Sequence, residues 1–328
     1  MTLRRLPVTL TLAALLAGVS LPAFAETLRI GWQQIVEPSR VPQADKTYEG
    51  ATGAEVEWHL FGGGADVIAA VAAGSIDIGY VGSSPLTAAA SQGLPVEAIY
   101  IVGNIAEAEA LAVKGIDKPE DLKGKKIATP FVSTAHYSLL TALKHWGVAP
   151  SDVSLLNLRP QEIAAAWERG DIDGAYIWDP VLNQIKTAGG TVLADSSAVA
   201  EWGGPTFDAW IVRKDYAEKH PDIVTAFVKV TGDATDAYLA NPAAWGADSA
   251  QAAKIAELTG APAADVPALL KGYVFAGLKD QTSDKFLGGA TAQAIKATAA
   301  FLQEQGAATA LEDYAGNVNA SFAAAAQK

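Results

Sequence analysis

The segment EIAAAWERGDIDGAYIWDP, residues 162–180, repeats a pattern that occurs earlier as ADVIAAVAAGSIDIGYVGSSP, residues 65–85. In both segments an amphipathic helix ends at a glycine, a short buried strand follows, and a proline comes soon after the strand. Aligning Gly74 with Gly170 superposes Asp77 on Asp173, Tyr80 on Tyr176 and Val81 on Ile177. A repeat of about 96 residues is too long for a solenoid. It predicts two similar α/β lobes, each presenting a strand end to the other.

The N-terminus has the features of an export signal. Arg4 and Arg5 precede a short apolar run at residues 6–19, and Ala-Phe-Ala at 23–25 matches the small-residue pattern of a signal-peptidase site. The apolar run is too short for a transmembrane span. We therefore predict that residues 1–25 are a signal peptide cleaved after Ala25, and that the mature chain works in the periplasm.

The composition excludes several classes of partner. The formal net charge is −12, and loss of the signal peptide with its two arginines makes it more negative. Nucleic acids and anionic membranes require a basic face, so neither is an expected partner. The chain has no cysteine and half of its residues are hydrophobic, so an exported protein of this size must hold together through its core.

Two strands are candidates for crossings between the lobes. EALAVKG at 109–115 leads into a new strand after a proline-started turn, and FDAWIVRK at 207–214 leads into long helices. We assign residues 26–112 and 213–328 to lobe 1 and residues 113–212 to lobe 2.

The stretch TPFVSTAHYSLLTALKHWG, residues 129–147, reads as the end of a strand followed by a helix that Ser133 or Thr134 caps and Gly147 ends. Ser83 or Ser84 would cap a matching helix in lobe 1. Helix starts carry free N–H groups and a partial positive charge, so two of them facing each other suit an anion. Because serine and threonine are preferred caps, a purely structural role is the alternative.

Catalytic and metal sites find little support in the sequence. Ser133 and His136 lie three residues apart, but no G-x-S-x-G elbow occurs and no third residue can be named to orient the histidine. The four histidines are scattered without a helical pair, and thiolates are absent, so we expect no metal. No phosphate-binding G-x-x-x-x-G-K-[ST] loop is present, and we expect no cofactor, no catalytic residue and no ATP hydrolysis by this chain.

Several long segments together resemble a known family. They are GSSPL, AEAL, KPEDLKGKKIA, PFVSTAHYSLLTALKHWGV, AAWERGDIDGAYIWDP, EWGGPTFDAWIVRKDYAEKHP and ADVPALLKG. They resemble the periplasmic taurine-binding proteins of ABC importers, within the aliphatic sulfonate and nitrate group. The resemblance covers residues 28–314 and implies the type 2 periplasmic binding protein fold, an α/β fold of two lobes with mixed sheets joined by a two-stranded hinge.

The resemblance also implies a division of roles among site residues. The amine of taurine requires an anion, for which Asp208 is the first choice and Glu109 the second. Trp178 matches an aromatic wall. The first loop, GWQQIVEP, departs from the family pattern at Gln34 and Ile35. The sulfonate would be held by hydroxyls, amides and helix starts at Gln33, Ser83, Ser84, Ser133, Thr134, His136 and Tyr137.

The function implied by the resemblance is capture of taurine for import, by a monomer that delivers it to a cognate permease with its ATPase. A binding protein for another alkanesulfonate or aminosulfonate is the first alternative. An enzyme acting on a small heterocycle through His136 is the second, and a structural exported protein without a ligand is the third.

Overall fold

The computed structural model describes residues 26–306 and 308–328. The predicted signal peptide therefore lies outside the described residues. The strands are β1 (Thr27–Trp32), β2 (Glu55–Leu60), β3 (Ile78–Gly82), β4 (Val96–Ile105), β5 (Glu109–Val113), β6 (Lys126–Thr129), β7 (Ser154–Asn157), β8 (Gly174–Trp178), β9 (Thr191–Asp195), β10 (Phe207–Arg213) and β11 (Tyr273–Phe275).

Helices alternate with these strands through the first two thirds of the chain and dominate the last third. They are α1 (Arg40–Ala44), α2 (Thr47–Thr52), α3 (Gly64–Ala72), α4 (Ser83–Ser91), α5 (Thr134–Trp146), α6 (Pro160–Arg169), α7 (Val181–Thr187), α8 (Ser196–Glu201), α9 (Lys214–Lys219), α10 (Pro221–Ala240), α11 (Ala250–Thr259), α12 (Val266–Leu269), α13 (Ala290–Glu304) and α14 (Ser321–Ala326). None of the helices in the described part of the chain is long and apolar enough to cross a membrane.

The strands form two mixed sheets, as predicted. The first has the order β11-β4-β10-β3-β1-β2 and the second the order β7-β6-β8-β5-β9. In the first sheet β2, β1 and β3 are parallel, and β10 is antiparallel to β3. In the second sheet β7, β6 and β8 are parallel, and β5 is antiparallel to β8. Each sheet thus places an antiparallel strand beside the strand that ends the repeated segment.

Sheet membership does not follow the predicted lobe boundaries at either crossing, and those boundaries stay a prediction. The sequence assigns residues 109–112 to lobe 1, whereas β5 pairs with β8 and β9 in the second sheet. It assigns residues 207–212 to lobe 2, whereas β10 pairs with β3 and β4 in the first sheet. The alternation of apolar residues identified both strands, but it carries no information about which sheet a strand joins. The two-stranded hinge stays a prediction.

The repeated segments fold alike and use their aspartates alike. Gly74 and Gly170 have φ values of 72° and 73°, the left-handed conformation that glycine adopts without a steric penalty after a helix. Oδ2 of Asp77 accepts a hydrogen bond from the backbone N–H of Arg29 at 3.0 Å, and Oδ2 of Asp173 accepts one from that of Lys126 at 2.8 Å. In each sheet the aspartate therefore anchors the neighbouring parallel strand at its start.

The two helix starts singled out in the sequence differ in their capping. Ser133 caps α5 as predicted, because its Oγ accepts a hydrogen bond from the N–H of His136 at 3.1 Å. The prediction for α4 is wrong: its N-cap is Gly82, and Ser83 and Ser84 are already helical. Strand β3 runs directly into α4 without a turn, so the first extended residue before the helix is the last residue of the strand.

The core behind the first sheet is built around Trp210 on β10, which is fully buried. Its ring makes edge contacts with those of Tyr80, at 5.1 Å between centroids, and Phe227, at 5.0 Å. These contacts hold the aromatic ring of Tyr80 beneath the end of β3. This ring supports the floor of the site described next.

Candidate functional site

A small cavity lies between the two sheets, at the ends of the strands that carry the repeat. Ligands in open α/β sheets bind at such strand ends. The first sheet and the helices around it contribute the ends of β1, β3 and β4 and the start of β10, while the second contributes the start of β5, the end of β8 and the start of α5. The residues that line the cavity are Gln33, Ile35, Gly64, Gly82, Pro85, Ile105, Glu109, Ser133, Thr134, Trp178, Asp208 and Tyr273.

The charges on this wall are of one sign. Asp208 and Glu109 are the ionisable carboxyl groups, and none of the described residues that line the cavity is a lysine, arginine or histidine. Both carboxyl groups are almost completely buried. A buried carboxylate without a cationic partner is costly, so this wall favours a ligand that brings its own positive charge.

Asp208 is held at one oxygen and open at the other. Its Oδ2 accepts hydrogen bonds from the hydroxyls of Tyr80 at 3.0 Å and Tyr273 at 2.9 Å, and within the described residues Oδ1 accepts none. Burial raises the pKa of Asp208 to about 7, although the two tyrosine hydroxyls lower it. Oδ1 of Asp208 is therefore the carboxylate oxygen available to a ligand.

Glu109 has both oxygens engaged by hydroxyls. Oε2 accepts a hydrogen bond from Thr134 Oγ1 at 2.5 Å, and Oε1 accepts from Ser196 at 2.8 Å and Ser138 at 3.4 Å. Burial raises the pKa of Glu109 to about 7, against the opposing effect of these hydrogen bonds. Asp208, the other carboxyl group of the cavity, raises it further by repulsion.

The two carboxyl groups occupy equivalent places in the two sheets. Asp208 on β10 pairs with Gly82, the last residue of β3, and Glu109 on β5 pairs with Trp178, the last residue of β8. Gly82 and Trp178 are themselves equivalent in the repeat. Tyr80 donates directly to Asp208. Its counterpart Tyr176 reaches Glu109 indirectly, because the Tyr176 hydroxyl lies 3.2 Å from Oγ of Ser196, which in turn contacts Glu109.

Gly82 is also where the two halves of the site approach most closely. A Cβ atom at this position would lie 2.6 Å from Cγ2 of Thr134, on the first turn of α5, and 3.3 Å from Oδ1 of Asp208. Real Cβ contacts are not that short. The absence of a side chain at Gly82 is thus what lets α5 reach the first sheet.

Of the residues predicted to bind sulfonate, three line the cavity, and each already makes hydrogen bonds. Gln33 donates from Nε2 to the carbonyl of Tyr80 at 3.0 Å. Ser133 donates to the carbonyl of Pro130 at 2.6 Å as well as capping α5, and Thr134 donates to Glu109. Their backbone groups, and the carbonyl oxygen of the Gln33 side chain, therefore carry most of their capacity to contact a ligand.

Ser83 and Ser84 lie directly behind the cavity wall, in the first turn of α4. Oγ of Ser83 accepts a long hydrogen bond, 3.4 Å, from the N–H of Phe207. Oγ of Ser84 is buried and has no hydrogen-bond partner within the described residues. A buried hydroxyl without a partner is unfavourable, so Ser84 is the serine with unused donor capacity.

The structure does not bring His136 and Tyr137 to the cavity wall. The ring of His136 stacks on Phe131 at 4.4 Å, its Nδ1 lies 3.4 Å from the N–H of Val132, and burial lowers its pKa to about 4. Tyr137 packs against Phe301 of α13, at 4.8 Å between ring centroids. Two residues along a helix turn by about 200°, so His136 leaves the face on which Thr134 lies, whereas Tyr137 lies within about 60° of Thr134 and packs against α13 instead.

Sequence reasoning missed Tyr273, Gly64, Pro85, Ile35 and Ile105. Tyr273 comes from β11, far along the chain, and no pattern in its surroundings indicated a role. Gly64 is the start of α3 and belongs to the run GGG, which could have been taken as a sign of close backbone approach. A Cβ at Gly64 would meet Cγ of Pro85 at 2.6 Å.

The rim of the cleft carries polar contacts between the two halves of the molecule. Nη2 of Arg159, just before α6, lies 3.3 Å from Oδ2 of Asp66 on α3. Nδ2 of Asn183 on α7 donates to Oδ2 of Asp265 at 2.9 Å. These contacts join the elements of the second sheet to those of the first across the cleft, an arrangement termed the closed conformation.

Comparison with known proteins agrees with this geometry. The family model described as NMT1/THI5 like matches residues 44–245. The chain belongs to this NMT1/THI5-like family. It is 48% identical, over 314 residues, to the taurine-binding periplasmic protein of Escherichia coli (strain K12), an alignment that covers 95% of this chain and 97% of that protein. This relative confirms the resemblance drawn from the sequence.

Members and structural neighbours of the NMT1/THI5-like family show how far the fold extends. A putative aliphatic sulfonates-binding protein of Bacillus subtilis (strain 168) is 32% identical over 209 residues, 62% of each chain. The alkanesulfonate-binding protein SsuA from Xanthomonas axonopodis pv. citri, bound to MOPS, superposes with a TM-score of 0.74 over 92% of this chain and 98% of that one, at 24% identity. The fold is therefore that of periplasmic binding proteins. The desulfurization enzyme DSZB, at a TM-score of 0.62, 15% identity and coverage of 92% and 99%, shares it.

Proposed function

We propose that this protein is the substrate-binding component of an ABC importer and that it captures taurine in the cavity between its sheets. The observation that carries the proposal is the wall with two buried carboxyl groups and no cationic side chain among its lining residues. A plain alkanesulfonate offers this wall no positive charge, whereas an aminosulfonate does. The similarity to the E. coli taurine-binding protein supports the same ligand.

The ammonium end of taurine is assigned to Asp208. Its Oδ1 is free of hydrogen bonds within the described residues, and its Oδ2 is fixed by two tyrosine hydroxyls that orient the carboxylate. A charge-assisted hydrogen bond in a cavity with little water is stronger than a neutral one. Trp178, which also lines the cavity, closes the side of the site beside Glu109 and excludes water there.

The sulfonate end is assigned to the helix starts around the cavity. Gly64 begins α3, Gly82 is the N-cap of α4 and Thr134 begins α5, and all three residues line the cavity. Their free N–H groups and helix dipoles suit an anion that stays ionised at every biological pH. Ser84 adds a hydroxyl with unused donor capacity. His136 and Tyr137 lie outside this assignment because neither lines the cavity.

We assign no chemical step to the protein. His136, the residue that an enzyme on this fold would have used, lies off the cavity wall with its Nδ1 turned to backbone. The further parts of the proposal are export to the periplasm after cleavage at Ala25, delivery to a permease with its ATPase, and function as a monomer. A binding protein for a different aminosulfonate or alkanesulfonate is the second candidate, supported by the relatives that are named as aliphatic sulfonate-binding proteins.

The test is calorimetric titration of the mature chain, refolded to remove bound ligand, with taurine, ethanesulfonate and β-alanine in parallel. We expect micromolar or tighter binding of taurine, about −8 kcal/mol or better, and weaker binding of the other two. Asp208→Asn should weaken taurine by about 100-fold, since it removes the charge but keeps the shape. Asp233→Asn, an exposed aspartate on α10, is the matched control and should change nothing. Equal binding of ethanesulfonate and taurine would refute the assignment of the amine.

A further inference from the structure

The charges of the proposed complex do not balance if both carboxyl groups are ionised. Taurine brings one ammonium group and one sulfonate, and the helix starts take the sulfonate. The ammonium group can neutralise one carboxylate, whereas the cavity wall has two, and no cationic side chain lines it among the described residues. A second buried carboxylate without a cationic partner would cost more free energy than the pairing of the ammonium group with the first carboxylate could easily offset.

The hydrogen bonds indicate which group takes the ammonium and which stays neutral. Asp208 offers its open Oδ1 beside Gly82, which has no side chain to cover that oxygen. Glu109 offers no open oxygen, because Thr134, Ser138 and Ser196 engage both. A hydroxyl can donate and accept, so any of these three can rotate to accept a hydrogen bond from protonated Glu109 without losing its place.

The hydroxyl cluster around Glu109 extends far enough to hold either arrangement of protons. Oγ of Ser196 lies 2.8 Å from Glu109, 3.4 Å from Oγ of Ser138 and 3.2 Å from the hydroxyl of Tyr176. All of these groups are buried. A closed cluster of hydroxyls can reorient as a unit when the carboxyl group at its centre gains a proton.

We propose that the site binds its zwitterionic ligand with Asp208 ionised against the ammonium group and Glu109 protonated within its hydroxyl cluster. Glu109 is then a positioning residue that carries a proton and keeps the net charge of the occupied cavity near zero. The inference rests on the proposed function and adds to it a specificity: the site selects ligands with one cationic group.

Other titratable groups face both carboxyl groups. Around Asp208 these are Tyr80 and Tyr273, and Glu37 at longer range, which is paired with Arg40 at 2.6 Å. Around Glu109 they are Tyr176 and, beyond it, Asp195. Burial raises the pKa of each of these tyrosines, so they remain neutral hydroxyl groups near pH 7. Asp179, which follows Trp178 and acts on Tyr273 at longer range, also has its pKa raised to about 7 by burial, but it lies outside the cavity lining. Among the residues that line the cavity, the protons that change near neutrality are thus those of Asp208 and Glu109.

The sign of the pH dependence follows from these assignments. Burial raises the pKa of both Asp208 and Glu109 to about 7, so the empty site holds protons on both below neutrality. Binding must then release the proton of Asp208, and affinity falls as pH falls. Above neutrality the empty site loses the proton that Glu109 needs in the complex, and affinity falls again as pH rises.

The experiment is a pH series of calorimetric titrations with taurine, run at each pH in buffers of low and high ionisation enthalpy. We expect a maximum of affinity near neutrality, with a fall of about tenfold per pH unit on the acid side and release of about one proton per taurine there. Glu109→Gln keeps the neutral shape, so it should bind within about threefold of the wild type at pH 7 and lose the alkaline fall. Asp179→Asn is the control: it removes another buried carboxyl group, outside the cavity lining, and should keep the profile.

Three results would overturn the inference. One is a flat pH profile of the wild type with no exchange of protons. Another is a Glu109→Gln variant that loses as much affinity as Asp208→Asn, which would assign the ammonium to both carboxylates. If Glu109→Gln does not fold, the number of protons that the wild type releases when it binds taurine is the test of the inference. The third is failure of taurine to bind at any pH, which refutes the proposed function as well, whereas the first two leave that function standing.

Discussion

Replacing Gly82 by alanine should weaken ligand binding without unfolding the protein. The new methyl group would lie 2.6 Å from Cγ2 of Thr134 in the closed conformation, more than 1 Å short of a normal contact of about 3.8 Å. Overpacking of this kind costs about 1–3 kcal/mol. Because the contact joins the two halves of the site, the cost falls on the closed form, and taurine affinity should drop by about 5- to 150-fold.

The fold itself has no reason to reject the alanine. Gly82 has φ −76° and ψ 166°, an extended conformation open to any residue, so no backbone strain arises. Alanine lowers the entropy of the unfolded chain, which stabilises the fold, but it is a poorer N-cap than glycine, which destabilises it. The two effects nearly cancel, since each is worth about 0.5–1 kcal/mol. Thermal unfolding of the ligand-free variant should therefore match that of the wild type closely.

The assay is a calorimetric titration of taurine into three proteins besides the wild type. Gly63→Ala is the matched control, since a Cβ there meets no atom within 4 Å. The double variant Gly82→Ala with Thr134→Ser removes the clashing methyl group but keeps the hydroxyl that donates to Glu109, so it should recover most of the lost affinity. Unchanged affinity in Gly82→Ala, or no recovery in the double variant, would show that this contact does not limit closure.

Three other substitutions test separate parts of the structure. Tyr273→Phe removes one of the two hydroxyls that favour the charged form of Asp208, so taurine affinity at pH 7 should fall by about fivefold, and by less at pH 8, as measured by titration. Asp77→Asn breaks an ion pair, at 2.9 Å, between the buried Asp77 and the partly exposed Arg29, and should lower the free energy of unfolding by about 2 kcal/mol in urea; a loss below 1 kcal/mol would contradict the anchoring role. Asp179→Asn should raise the free energy of unfolding at pH 7 but not at pH 4. Burial raises the pKa of Asp179 to about 7 in the folded protein, so this group ionises at lower pH in the unfolded chain. The stability of the wild type therefore falls as pH rises between about 4 and 7, and the asparagine removes that loss.

The repeat and the cap of α5 could be predicted because both depend on local chemistry. Gly74 and Gly170 end helices through a backbone conformation that glycine favours, and Ser133 satisfies an N–H group three residues ahead. Each signal spans a few residues and does not depend on the rest of the fold. The failure at α4 is local too: nothing in GSSP distinguishes a strand that runs straight into a helix from one that turns first.

The partners of the two carboxyl groups could not be predicted, because they come from distant parts of the chain. Tyr273 reaches Asp208 from a short strand at the far edge of the first sheet, and Ser196 reaches Glu109 from the start of α8. Which face of α5 turns to the cavity is likewise decided by packing against α13, where Tyr137 meets Phe301. Such choices depend on the assembled tertiary structure, so a single sequence does not encode them in any readable pattern.

The duplication accounts for the site having two carboxyl groups and for their unequal roles. Each sheet sets a carboxylate opposite the last residue of its repeated strand, and a tyrosine two residues earlier supports that carboxylate. The halves differ at that last residue. Glycine at position 82 leaves Asp208 open to the cavity and lets α5 approach, whereas Glu109, opposite Trp178, has both of its oxygens engaged by hydroxyl groups. A symmetric site would present two equal anions to one ammonium group. The exchange of one small residue for one large residue at equivalent positions is therefore enough to turn a duplicated scaffold into a site with one charged and one neutral carboxyl group, which is what a zwitterion with a single positive charge requires.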